Sequence, residues 1–157
     1  MKTPLLPRFR VPALVQGTLT YFSSEAVSRR WSVVTFVRSF DPPVVALLSR
    51  QAWVLNEHAD TARLLAVSSD EHALHRLGPN APSTQGNLVF LADPLGRLHR
   101  AFESPNQREK NRCDTFVFDP DGRLQFHAVH GLLDLAQSAF GEILRTGRAQ
   151  TVSAGLR

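Results

Sequence analysis

Short apolar runs recur along the chain and are separated by polar or turn-forming residues. The run at residues 31–37 is rich in β-branched and aromatic side chains, which predicts a buried strand in the first half of the chain. Similar, shorter runs predict further strands at residues 18–22, 63–67 and 88–91. No apolar run exceeds five residues, which is far below the roughly 20 needed for a helix that spans a membrane.

Helical periodicity follows two of these runs. Asp41 is a preferred N-cap residue and Pro42 suits the first helical position, so the apolar residues that follow predict an amphipathic helix ending near His58 or Ala59. A shorter helix is predicted at residues 71–77, capped by Asp70. The apolar spacing predicts a last helix over residues 132–144.

Two late strands, at residues 115–118 and 124–129, flank the turn Asp119-Pro120-Asp121-Gly122, which predicts an antiparallel hairpin. Strands joined by helices early and by a tight turn late predict one α/β domain over residues 1–157, with a mixed central sheet flanked by helices. Residues 1–16 are predicted to be an extended N-terminal arm, and residues 147–157 a loose C-terminal tail.

Charge and composition indicate which classes of partner and which cellular compartment to expect for this protein. The net charge of +4 rests on arginine, because Lys2 and Lys110 are the only lysines among 18 basic residues. These arginines are scattered and form no stripe interleaved with aromatic residues, so nucleic acid is not an expected partner. Prolines and arginines interrupt the first apolar residues, which predicts no signal peptide, no membrane association and a cytoplasmic location. Cys113 is the only cysteine, so the chain alone forms no disulfide and no multi-cysteine cluster.

Over residues 9–145 the chain resembles the peroxiredoxin branch of the thioredoxin fold, which includes alkyl hydroperoxide reductases and thiol-specific antioxidant proteins. The phrases that carry the resemblance, in order, are WSVVTFV at 31–37, LAVSSD at 65–70, LADPLG at 91–96 and TFVFDPDG at 115–122. The resemblance implies a thioredoxin-like fold. It says less about activity, because one fold supports many functions.

The resemblance also implies where a peroxide-reducing cysteine belongs. In that family the cysteine occupies the first turn of the helix after the first central strand, where helix amides and an arginine stabilise its thiolate. In this chain the cysteine position falls at or near Val45, the motif threonine near Pro42 and the motif proline near Arg38. Because no cysteine precedes Cys113, the expected nucleophile is missing whatever the register.

Cys113 has two interpretations. The family carries an arginine just before the late hairpin, and an ungapped match places Cys113 there, with Arg112 one residue earlier. In the first interpretation the two residues are catalytic: Cys113 lies at the rim of the vestigial site and Arg112 favours its thiolate. In the second, Cys113 packs as a small hydrophobic residue.

The sequence gives only weak support for a metal site. His72 and His75 share a helical face but lack a third metal ligand, and His127 and His130 point to opposite faces of a strand. The turn that begins at Asp119 lacks the glutamate of a calcium loop. The sequence therefore predicts no metal and no cofactor.

The sequence favours a peroxiredoxin-like protein that has lost its peroxidatic cysteine and acts as a non-enzymatic binding or assembly protein. A vestigial groove is predicted as the partner surface, lined by Phe40, Asp41, Pro42, Pro43, Val44 and Val45. The resemblance further suggests a homodimer formed through a sheet edge or through the loops near residue 40. Two alternatives stay open: a one-cysteine thiol peroxidase or redox sensor that uses Cys113, and an unrelated ligand-binding α/β domain.

Overall fold

A computed structural model describes residues 5–58, 62–70, 72–77, 87–102 and 112–131. In these ranges the strands are Arg10–Val15 (β1), Thr18–Ser23 (β2), Ser32–Phe36 (β3), Arg63–Ser68 (β4), Leu88–Ala92 (β5), Arg112–Phe118 (β6) and Leu124–Gly131 (β7). The helices are Pro42–His58 (α1), Ala73–Leu77 (α2) and Arg97–Ala101 (α3), and a single 3₁₀ turn, Ser24–Val27, follows β2.

The strands form one sheet in the order β2-β1-β5-β4-β3-β6-β7. The pairs β3–β4 and β4–β5 are parallel, whereas β1–β5, β3–β6 and β6–β7 are antiparallel. All five residues of β3 and all five of β5 are buried, as expected for strands covered on both faces. The prediction of a mixed α/β sheet is confirmed, with α1 and the late hairpin where the sequence places them.

The N-terminal region differs from the prediction of an extended arm over residues 1–16. Arg10–Val15 (β1) pairs with β2 along its length and with β5 through its last three residues. Gln16 and Gly17 have φ values of 49° and 81°, and these two residues form the type I′ turn of a tight hairpin. Pro12 interrupts the strand-like pattern of this segment in the sequence. Because Pro12 is not paired with β5, its missing N–H removes no hydrogen bond from the β1–β5 ladder.

The second difference is α3, a helix that the sequence pattern does not predict. Asp93 accepts hydrogen bonds from the backbone N–H groups of Leu98 (3.0 Å) and His99 (2.9 Å), and these bonds satisfy donors that the first turn of α3 leaves open. Gly96 has a φ of 69°, a left-handed conformation that suits glycine, and leads the chain into the helix. The predicted last helix at 132–144 and the tail at 147–157 lie outside the described residues.

Two apolar layers cover the sheet. On one face α1 and α2 pack against Val33, Leu64 and Phe90, with Cys113 of β6 in the same layer. On the other face α3 packs through Leu98 against strand residues that include Phe36. Several phenylalanines meet edge to face in this second layer, and their rings pair as Phe36–Phe102, Phe36–Phe116, Phe102–Phe116 and Phe102–Phe118.

Candidate functional site

The N-terminus of α1 lies beyond the end of β3, where the resemblance places the reactive thiol. Asp41 precedes the helix, and its backbone carbonyl accepts the N–H of Val45 at 2.9 Å. The Ser39 hydroxyl donates to the Asp41 carboxylate at 2.7 Å. Pro42 and Pro43 occupy the first two helical positions and have no N–H to donate. The site therefore presents a carboxylate and few amide donors.

A cavity of about 270 Å³ adjoins this helix start, and we call it the thiol pocket. It is lined by Val37, Arg38, Ser39, Asp41, Pro43, Val44 and Cys113. Strand pairing brings Cys113 here, because Phe36 at the end of β3 is the register partner of Asp114 in β6. The pocket thus joins the α1 N-terminus to a thiol that is distant in sequence.

Cys113 is 1% exposed and belongs to the apolar layer beneath α1. Across the β6–β7 ladder its register partner is His130. The Arg112 backbone begins β6, but its side chain is outside the described part of the structure, so its predicted role as a cationic partner of Cys113 stays a prediction. The guanidinium-bearing residue that the described structure places at the pocket is Arg38, which sequence reasoning had matched only to the motif proline.

A second cavity, of about 480 Å³, lies on the other side of the α1 N-terminus, and we call it the α1–α2 groove. Its lining residues are Phe40, Asp41, Pro42, Val45, Ala46, Ser49, Arg76 and Leu77. Arg76 is held at its rim by Asp70, with 2.6 Å between a guanidinium nitrogen and a carboxylate oxygen. Arg76 has no motif signal in the sequence, because only the packing of α2 beside α1 brings it to this groove.

The six residues of the predicted groove are therefore divided between two cavities. Phe40 and Val44 are mainly core side chains, with Phe40 edge-on to Phe90 at a ring separation of 5.0 Å. Pro42 and Pro43 are exposed and Val45 is half-buried, so these three carry most of the accessible apolar surface.

Two acid–histidine pairs, each with a buried carboxyl group, lie elsewhere in the fold. Asp93 accepts from His99 Nδ1 at 2.6 Å, and both side chains are buried. Burial opposes ionisation of Asp93, but hydrogen bonds from the His99 ring and from the amides of Leu98 and His99 outweigh it and lower the pKa of the carboxyl. Asp114, fully buried, contacts His127 Nε2 at 2.6 Å, and the His127 ring stacks on Phe116.

The remaining candidates have structural explanations. His127 and His130 contact Asp114 and Thr115, which are consecutive residues of β6 and so lie on opposite faces of the sheet. The Asp119 carboxylate is occupied by two backbone N–H groups of its own turn and by the Gln125 amide. Within the described ranges no three His, Cys, Asp or Glu side chains converge as metal ligands would.

Comparison with solved structures decides the fold. The reduced 2-Cys peroxiredoxin of Plasmodium vivax superposes with a TM-score of 0.71 at 13% identity, covering 90% of this chain and 93% of that one. AhpC of Mycobacterium tuberculosis gives 0.69 at 18% identity, and AhpC of Enterococcus faecalis 0.69 at 20%, each covering 96% of both chains. The chain has a peroxiredoxin-like thioredoxin fold.

No family model matches this peroxiredoxin-like chain, and no curated protein matches its sequence. The likeness is therefore one of backbone architecture, and it extends over nearly the whole chain. Among the helices of the described ranges, none has the length and hydropathy of a membrane crossing.

Proposed function

We propose that this protein is a non-enzymatic binding or assembly protein built on the peroxiredoxin-like fold. The observation that supports the proposal most is the start of α1, where Pro42, Pro43, Val44 and Val45 fill the first turn and Asp41 precedes it. None of these side chains can attack a peroxide.

The backbone of this turn is also poorly suited to hold an anion. A helix N-terminus stabilises a thiolate through its first unpaired N–H groups. Pro42 and Pro43 lack theirs, and the N–H of Val45 donates to the Asp41 carbonyl. The Asp41 carboxylate adds a negative charge at the position where peroxide chemistry would develop one. Both features argue against a peroxidase at this helix.

The α1–α2 groove is the proposed partner surface. Pro42 and Val45 offer apolar contacts, and the Asp70–Arg76 pair supplies a polar rim. A mainly apolar concavity with a few fixed polar groups is the usual form of a binding site. We place this partner in the cytoplasm and expect it to be a protein, with no role for nucleic acid or membrane.

Self-association is part of the proposal. In the described sheet β2 and β7 are the edge strands, and an exposed edge is a template for pairing with another chain. Val129 on β7 is 45% exposed, which is high for a large apolar side chain, and Tyr21 on β2 is 61% exposed. The proposed homodimer forms through a sheet edge or through the residues near position 40.

A second candidate function rests on Cys113 lining the thiol pocket with Arg38. In a one-cysteine peroxidase or sensor, the Cys113 thiolate would attack one peroxide oxygen and break the O–O bond. The sulfur would take that oxygen and become a sulfenic acid, and the other oxygen would leave as hydroxide and be protonated to water. Two equivalents of an external thiol would then reduce the sulfenic acid to the cysteine and leave as a disulfide, with release of water. The 1% exposure of Cys113 weighs against this reaction.

One experiment separates the two candidates. Purified, reduced protein is mixed with about one equivalent of hydrogen peroxide while peroxide loss and the intact mass are followed, with Cys113→Ser as the control. Loss at the rate of Cys113→Ser, with an unmodified thiol, supports the binding protein. Rapid loss with a sulfenic acid or mixed-disulfide adduct on Cys113 supports the one-cysteine enzyme and contradicts our first proposal.

A further inference from the structure

Two arginines are neighbours where the parallel strands β3 and β4 begin, at the opposite end of β3 from the thiol pocket. Arg63 is the first residue of β4, and its backbone N–H donates to the Trp31 carbonyl at 3.1 Å. Arg30 immediately precedes Trp31, and its own carbonyl accepts the Ser32 hydroxyl. Because Ser32 is the register partner of Arg63, backbone pairing fixes Arg30 and Arg63 as neighbours.

One hydrogen-bond donor of the Arg63 side chain is left without an acceptor. Its Nε atom is buried and has no hydrogen-bond partner in the structure. A buried donor without an acceptor is costly, and in native proteins such a group calls for a water or an ion that satisfies it. Arginine Nε and one terminal nitrogen form a planar fork that matches two oxygens of one anion.

Among the described residues, no carboxylate is paired with the positive charge at this place. Burial and the nearby positive charge of Arg30 both lower the pKa of Arg63. The described carboxylates that contact basic side chains do so at other places in the fold, namely in the pairs Asp70–Arg76, Asp93–His99 and Asp114–His127. Two neighbouring guanidinium groups without a described carboxylate form a site of positive potential.

We infer that Arg30 and Arg63 form a binding site for a phosphate-type oxyanion, in which the Arg63 fork donates hydrogen bonds to two oxygens of the anion. A divalent phosphate group carries the charge that the two arginines together offset, and a monovalent carboxylate does not. The inference is independent of the proposed function, because neither arginine lines the thiol pocket or the α1–α2 groove.

The probe for the test is inorganic phosphate, titrated against sodium chloride at matched ionic strength. The readout is the Arg63 Nε–H resonance in a nitrogen–proton correlation spectrum. We expect a saturable shift that acetate does not produce. Because the Arg63 variants lack this resonance, titration calorimetry measures their phosphate affinity. Phosphate should bind about tenfold more weakly to Arg63→Gln and Arg63→Lys than to the unmodified protein, because glutamine loses the charge and lysine keeps the charge but loses the fork.

Arg50→Gln is the matched control, since Arg50 is an exposed arginine on α1. It should bind phosphate like the unmodified protein. The absence of a saturable shift, wild-type affinity in Arg63→Lys, or an equal loss in Arg50→Gln would each overturn the site. If Arg63→Gln fails to fold, Arg30→Gln supplies the same measurement, read through the intact Arg63 Nε–H.

Discussion

Cys113 and His130 face each other across the β6–β7 ladder, yet the imidazole is engaged away from the thiol. His130 Nδ1 lies 2.8 Å from the Gly131 carbonyl, and a carbonyl can only accept, so Nδ1 carries the proton. Nε2 then accepts from the Thr115 hydroxyl at 2.6 Å, and Thr115 in turn lies 3.1 Å from the Thr35 hydroxyl. Because both ring nitrogens have partners, His130 is not available as a base for Cys113.

We therefore expect the Cys113 thiol to react slowly. In native protein at neutral pH, alkylation by iodoacetamide should be at least about tenfold slower than in protein unfolded in denaturant, because only exposed thiolate reacts. The measurement is intact mass against time, and the unfolded sample is its own control. Equal rates in the two samples would contradict the burial seen here and favour the redox candidate.

Restoring a cysteine at the start of α1 should not by itself restore a peroxidase. We expect Val45→Cys to consume peroxide only slightly faster than the parent protein, since two prolines have removed amide donors and Asp41 repels a thiolate. Adding Asp41→Asn to Val45→Cys should raise the thiolate fraction several-fold, measured by absorbance of the thiolate against pH. Adding Asp121→Asn, an exposed carboxyl on the far hairpin, is the control. An equal thiolate fraction with and without Asp41→Asn would show that this carboxylate does not act on the site.

The Asp93 carboxylate should be a major source of stability. Asp93→Ala removes the acceptor of three hydrogen bonds and leaves the His99 ring unpaired in the core, so the free energy of unfolding should fall by about 3 kcal/mol. Denaturant titration measures the change. Asp121→Ala, an exposed carboxylate, should change stability by less than about 0.5 kcal/mol, and a similar loss in both variants would contradict the assignment.

The lowered pKa of Asp93 also predicts how stability depends on pH. In the unfolded chain this carboxyl titrates near its ordinary value of about 3.9, and in the folded protein it titrates lower. Its stabilising contribution is therefore fully present above about pH 4 and is lost as the pH falls through the folded value. The stability difference between the unmodified protein and Asp93→Ala should be constant at higher pH and shrink on acidification. A difference that grows on acidification would contradict the direction of the shift.

Self-association through β7 predicts a specific effect of its exposed apolar residue. Val129→Asp places a charge on this edge, so the dimer should dissociate at least about tenfold more readily in sedimentation equilibrium. Leu19→Asp, on the opposite edge strand β2, is the matched control and should leave the association unchanged. If Leu19→Asp weakens the dimer and Val129→Asp does not, the interface lies on β2. A strict monomer at high concentration would exclude self-association.

Local sequence signals predicted much of the fold. Helix α1 follows from Asp41, Pro42 and apolar periodicity, all within one stretch, and β3 follows from its β-branched residues. The strand β1 was missed because Pro12 obscures its alternation and its pairing with β2 and β5 is non-local. Helix α3 was missed because it has only five residues and depends on a side chain, Asp93, from outside the helix.

The sequence by itself determined that no thiol stands in the first turn of α1 and that two prolines occupy it, because these are properties of adjacent residues. Only the tertiary structure decided that Cys113 shares a cavity with Arg38, and that Arg63 lies beside Arg30. Both juxtapositions come from strand direction and register: the start of β6, which is antiparallel to β3, pairs with the end of β3, and the start of β4, which is parallel, pairs with the start of β3. Hydrogen-bond ladders between distant segments fix such neighbours, and no local pattern encodes them.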